Sequence, residues 1–171
     1  VIPSGKIVTI SGIIIPFTFL IMFIQVILSN NKINIKDISI TLFGIFYIAL
    51  FLLFIPLIRG EEFGKLLIWY VFFAAWMTDT FAYLTGMTLG KHKFAPVLSP
   101  KKSIEGCVGG VLGAALIGFI YALIFQSKIP GSFNPLIIYP IVGAACSVIS
   151  QIGDLAASGI KRQNNIKDYG T

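Results

Sequence analysis

The chain has 171 residues, of which 56% are hydrophobic and only 12% charged, with a formal net charge of +6. Water-soluble domains carry roughly 25% charged residues, so an ordinary soluble domain is excluded and an integral membrane protein is expected. The cations lie in short segments between long apolar runs, so the positive balance records membrane orientation and is not read as nucleic-acid binding.

Taken in chain order, residues 7–28 form a 22-residue apolar run, about 33 Å long as a helix and sufficient to span a bilayer. Pro16 lies inside it and is expected to kink the helix without breaking it. A polar loop over 29–37 precedes a second span, 38–58, and the charged turn 59–65 contains Glu61 and Glu62. The third span, 66–86, contains Asp79. A basic loop, 87–105, leads to a fourth span, 106–125. A turn over 126–135 leads to a fifth, 136–155, which runs on into a charged segment. The expected architecture is all-α, a polytopic transmembrane helical bundle of about five spans, forming one unit over 1–171. No secretory signal is evident. Cys107 and Cys146 both lie in apolar runs and read as free buried thiols.

Counting Lys and Arg on alternate sides gives four against nine. Lys6, Arg59, Lys65 and Lys128 share one side; Lys32, Lys36, Lys91, Lys93, Lys101, Lys102, Lys161, Arg162 and Lys167 share the other. The second side is therefore expected to be cytoplasmic. The basic loop and the charged C-terminal segment then share that face.

Three stretches carry the chemistry. If the last helix continues, Asp154, Ser158, Lys161 and Arg162 fall at i, i+4, i+7 and i+8, one face of a helix that also collects Ser147 and Gln151. Such a stripe has no reason to face lipid, and a carboxylate beside paired cations suits a metal ion and phosphates. Around Asp79, the residues Trp76, Asp79, Thr80 and Tyr83 also recur on one helix face; the simpler reading is an interhelical hydrogen bond with interfacial aromatics. In the basic loop, Pro100 stiffens a turn beside Lys101 and Lys102, which supply cations for a triphosphate; the simpler reading is a loop that only fixes topology. For Asp154 the simpler reading is an ion pair with Lys161 or Arg162. His92, the single histidine, reads as a solvated loop residue able to touch a phosphate. Gly106/Gly110 and Gly109/Gly113 form overlapping small-xxx-small pairs, read as close helix packing.

These three stretches resemble the phosphatidate cytidylyltransferases (CDP-diacylglycerol synthases). Ser158, Ile160, Lys161-Arg162 and Lys167-Asp168 match that family's C-terminal signature. Ser99-Pro100-Lys101-Lys102-Ser103-x-Glu105-Gly106 matches its Ser-Pro-Lys-Lys-Thr-x-Glu-Gly run, with Ser103 in place of Thr. Asp79, Thr80, Ala82 and Tyr83 match its Asp-Thr-x-Ala-Tyr motif. In the family the signature continues into His-Gly-Gly and an Asp-Arg segment, and further spans precede this region. The chain is thus expected to be truncated at both ends.

The resemblance implies that a phosphate oxygen of phosphatidic acid attacks the α-phosphorus of CTP, giving CDP-diacylglycerol and pyrophosphate. It implies Mg²⁺ held by Asp154 and Asp79, with room for a second cation. Lys101, Lys102, Lys161 and Arg162 would bind phosphates. Ser99, Ser103, Glu105, Ser158, Tyr83, Lys167 and Asp168 would contact substrate. The expected partners are CTP, phosphatidic acid and membrane lipid, with a homodimer as an option and no nucleic acid. The expected location is a bacterial inner membrane, with the site facing the cytoplasm. The alternatives are a CTP-dependent polyprenol or phytol kinase, which would release CDP, and an anion transporter with no turnover.

Overall fold

A bilayer core offers the backbone no water, so each long apolar run must close its hydrogen bonds within a helix. The computed structural model describes residues 4–29, 33–128 and 133–166. Five helical stretches in it are long and apolar enough to cross a membrane: Val8–Leu28, Ile35–Gly60, Gly64–Leu89, Ile104–Phe125 and Pro135–Gln163. All five expected spans are present, and the last extends eight residues past its expected end at 155, carrying the charged stripe on continuous helix. The chain is a multi-pass membrane protein. Contacts divide it into two compact units, residues 1–68 and 69–171.

In the first unit, α1 (Ser4–Leu28) runs through Pro16 without a break. The second expected span is three consecutive pieces. α2 (Ile35–Ile45) opens on a capping box: the Asn34 side chain accepts from the Asp37 amide, and the Asp37 carboxylate accepts from the Asn34 amide, each at 3.0 Å. Two of the helix's unpartnered amide donors are thereby satisfied. A π-helical turn, Phe46–Leu50, follows, and α3 (Phe51–Gly60) completes the stretch with Pro56 inside it. The π turn leaves no mark in the hydropathy and was not expected. α1 and the second stretch border a cavity of about 580 Å³, lined by apolar side chains such as Ile14, Phe19, Phe46 and Pro56, with Ser11 and Thr18. Both hydroxyls donate back to their own helix, Ser11 to Val8 O and Thr18 to Ile14 O.

The second unit comprises most of α4 (Gly64–Leu89), a two-stranded hairpin, α5 (Ile104–Phe125) and α6 (Pro135–Gln163). Its helices approach closely because glycines line the seams. A Cβ on Gly106 of α5 would stand 2.8 Å from Ala82 O of α4, and one on Gly118 would stand 2.5 Å from Tyr139 O of α6. Neither position admits a side chain without moving backbone, which is the close packing expected of small residues in membrane helices. Tyr70, Tyr121 and Tyr139 are buried together, with ring centroids 5.0–5.8 Å apart, and the Tyr70 hydroxyl donates to Tyr139 O.

The basic loop is more ordered than its sequence implies. β1 (Lys93–Ala95) and β2 (Ser99–Ser103) pair antiparallel, with Lys93 opposite Ser103, Ala95 opposite Ser99 and a register shift between. Short strands containing a proline carry little strand signal, so the hairpin escaped the sequence reading.

Candidate active site

Ser103 joins the hairpin to α5. Its extended backbone ends β2, and its Oγ accepts from the Gly106 amide at 3.1 Å, capping the helix. Ser103 is buried. The residue expected to contact substrate thus has its hydroxyl engaged at the helix start. Because β2 runs directly into this cap, Lys102 and Lys101 are held one and two residues before the capping Ser103.

There they border a cavity of about 310 Å³. α4 contributes Asp79 and Tyr83, β2 contributes Lys101, Lys102 and Ser103, α5 contributes Cys107, and α6 contributes Gln151. Lys102 also reaches across to α6, its Nζ lying 2.5 Å from Asp154 Oδ2. This pair ties the basic hairpin to the acidic position on α6, a partner that the simpler reading of Asp154, a pair with Lys161 or Arg162 on its own helix, did not include. With 59% of the Asp154 side chain exposed and 24% of that of Lys102, the attraction is screened. It contributes on the order of 1 kcal/mol or less, so either partner can exchange to an incoming ion or phosphate.

The structure therefore gathers Asp79, Tyr83, Lys101, Lys102 and Ser103 around one cavity, with Asp154 attached through Lys102. It does not bring every expected residue there. Ser99 lies at the start of β2, opposite Ala95. Ser158, Lys161 and Arg162 lie further along α6 and do not line the cavity. Lys161 and Arg162 occupy the last turn, where cations complement the helix dipole. Glu105 turns toward the foot of the hairpin: its carboxylate accepts from the Lys91 and His92 amides, and His92 Nδ1 lies 2.7 Å from its Oε1. His92 is exposed, as a loop histidine should be, but it is engaged with Glu105. Thr80 is exposed and donates back to Trp76 O, whereas its neighbour Thr78 is fully buried. Lys167 and Asp168, and Lys32 in the charge count, lie outside the described residues.

Sequence reasoning left Gln151 out of the site, although it placed Gln151 on the polar stripe. Its Nε2 donates to Cys107 O at 3.1 Å and to Ser147 Oγ at 3.2 Å. A membrane-helix glutamine three residues before the candidate Asp154 was the available signal. Cys107, read as a free buried thiol, is free but only half-buried, and it also borders the cavity.

The donor set can be tested against Mg²⁺. Among the described residues no three His, Cys, Asp or Glu side chains gather as a metal cage. What exists is a pair of exposed carboxylates, Asp79 and Asp154, in a region that also holds lysines. Mg²⁺ suits such a set, since it takes one or two carboxylates and completes its shell with waters and substrate phosphates.

Residues 4–171 match the model of the cytidylyltransferase family. Among curated proteins, the chain is 33% identical over 150 residues to a phosphatidate cytidylyltransferase of Staphylococcus saprophyticus, covering 88% of this chain and 55% of that protein. It is 36% identical over 151 residues to the protein of that name from Staphylococcus haemolyticus, with the same coverage. Against that of Staphylococcus aureus it is 32% identical over 172 residues, covering 99% of this chain and 60% of the relative. The chain thus spans a little over half the length of these relatives.

Proposed function

The chain belongs to the cytidylyltransferase family, and on that premise we propose that the whole protein transfers a cytidylyl group from CTP to phosphatidic acid, forming CDP-diacylglycerol and pyrophosphate. The observation that carries this reading is the Lys102–Asp154 pair. It joins the Ser-Pro-Lys-Lys hairpin to the aspartate of α6 at the rim of the cavity that Asp79 lines.

In the reaction a phosphate oxygen of the lipid forms a bond to the α-phosphorus of CTP while the bond to the pyrophosphate oxygen breaks. No covalent protein intermediate is needed, so positioning and charge neutralisation carry the catalysis. Lys101 and Lys102, held at the cavity by the capped end of α5, neutralise the triphosphate and the departing pyrophosphate. Lys161 and Arg162 supply cations further along α6 for the lipid phosphate. Asp154, with Asp79, would hold Mg²⁺, which when bound spreads the negative charge of the phosphoryl oxygens. Tyr83 and Gln151 shape the wall. CTP, phosphatidic acid and bilayer lipid are the partners under this reading.

The side bearing nine of the thirteen cations faces the cytoplasm of a bacterial inner membrane, where CTP is available. Cysteines introduced singly at Lys101 and Lys128 should then label from opposite faces of sealed vesicles, and labelling of both from one face would overturn this orientation. The reaction is tested with the complete protein in liposomes containing phosphatidic acid, supplied with CTP and Mg²⁺. Stoichiometric pyrophosphate and CDP-diacylglycerol support the proposal. CDP with a newly phosphorylated lipid identifies a kinase instead, and CTP left intact rejects nucleotide chemistry.

A further inference from the structure

Glu105 carries more hydrogen bonds to the chain itself than any other acidic side chain described. Its Oε2 accepts from the Lys91 amide at 3.1 Å, the His92 amide lies 3.2 Å from both its oxygens, and His92 Nδ1–H donates to Oε1 at 2.7 Å. The His92 carbonyl in turn accepts from the Ile104 amide at 2.9 Å. All of these join residues 91–92, the foot of β1, to residues 104–105, the first turn of α5. The hairpin that holds Lys101 and Lys102 is closed at its base by this brace; elsewhere it is held by short, shifted strand pairing, the Ser103 cap and the Lys102–Asp154 pair.

We infer that Glu105 is a positioning residue for nucleotide binding: acting through His92 and the amides of residues 91–92, it fixes the lysine-bearing strand at the cavity. The inference rests on the cytidylyltransferase reading for what the lysines bind, but the brace itself does not. A carboxylate with both oxygens occupied by its own chain has little capacity left for a substrate hydroxyl or a metal, despite its place in the Ser-Pro-Lys-Lys run. It suits the amides better than a neutral side chain would, because hydrogen bonds to a charged acceptor are the stronger kind. Freed of the brace, β1 can leave β2, and Lys101 and Lys102 are then positioned only by the Ser103 cap that follows them and by the Lys102–Asp154 pair. A displacement of about 1 Å in such a group is enough to cost up to about a hundredfold in a positioned reaction.

The test uses the complete protein in liposomes and the variants Glu105→Gln, Glu105→Ala, His92→Ala and Glu105→Gln/His92→Ala. Amide hydrogen exchange over residues 91–103, measured without nucleotide, should quicken at least about tenfold in Glu105→Ala and less in Glu105→Gln, which keeps one acceptor. KM for CTP should rise about tenfold, with kcat within about threefold and KM for phosphatidic acid unchanged. The double variant should be no worse than Glu105→Gln alone, because both residues belong to one brace. Unchanged exchange in Glu105→Ala overturns the inference. Additive effects of the two single variants on KM for CTP do so as well, since they would mean that Glu105 meets the nucleotide independently of His92. If Glu105→Ala does not fold, Glu105→Gln and His92→Ala decide the same points. Absence of CTP turnover in the unaltered protein would reject the cytidylyltransferase reading, while exchange over residues 91–103 would still decide whether the brace holds the strand.

Discussion

Both units are built from helices apolar enough to cross a membrane, yet they use them differently. In α1 none of the membrane-spanning stretch is buried within the described chain, whereas 39% of that in α5 is. The first unit borders an apolar cavity whose hydroxyls are turned back onto their own helix. The second packs on glycine and encloses a cavity bordered by Asp79, Lys101, Lys102 and Gln151. Small residues allow helices to approach closely, and the resulting rigid frame can hold ionisable groups at a defined spacing in a site where each exposed polar group would otherwise be costly.

The sharpest way to break this contrast is at its charged end. Asp154→Asn in the complete protein should lower kcat by about a hundredfold to a thousandfold, the loss typical of removing a group that stabilises developing charge, while membrane insertion is unchanged. Turnover within threefold of normal would remove Asp154 from the site.

Next in size is the lysine pair. Lys102→Met should reduce kcat/KM for CTP by about tenfold to a hundredfold, the range for losing a charge-assisted hydrogen bond. Lys101→Ala should cost less, because Lys101 is exposed while Lys102 is half-buried and paired with Asp154. Equal losses would mean that the pairing does not distinguish them.

The packing contrast is tested by Gly118→Leu against Gly12→Leu. The first drives a side chain into the Tyr139 backbone and should destabilise the protein by about 1–3 kcal/mol or more. The second enters open space on α1 and should be neutral within about 0.5 kcal/mol or mildly stabilising, since glycine is a poor helix former. Thermal unfolding in detergent reads both.

The smallest effect is expected from Thr18→Val. Among the described residues its hydroxyl bonds only to Ile14 O, so CTP kinetics should change by less than about twofold. A tenfold change would bring the first unit's cavity into the reaction and dissolve the distinction drawn between the units.

The spans were legible in the sequence because each is a local requirement. A helix crossing hydrocarbon needs about twenty apolar residues, and that count is made along one segment without reference to any other. The polar stripe on α6 was legible for the same reason, since helical spacing places Asp154, Ser158 and Arg162 on one face whatever surrounds them. The small-residue pairs of α5 announced close packing, although not which neighbour each glycine would meet.

What only the tertiary structure decided are the pairings between segments. Lys102 and Asp154 are separated by 52 positions and meet because α5 and α6 pack on glycine; by spacing alone Lys161 was the nearer partner. Glu105 matched a substrate-contacting motif, yet the fold of the basic loop delivers the Lys91 and His92 amides to its carboxylate. An ionisable side chain takes whichever partner the backbone brings within about 3 Å, and periodicity, being a property of one element at a time, carries no record of that distance.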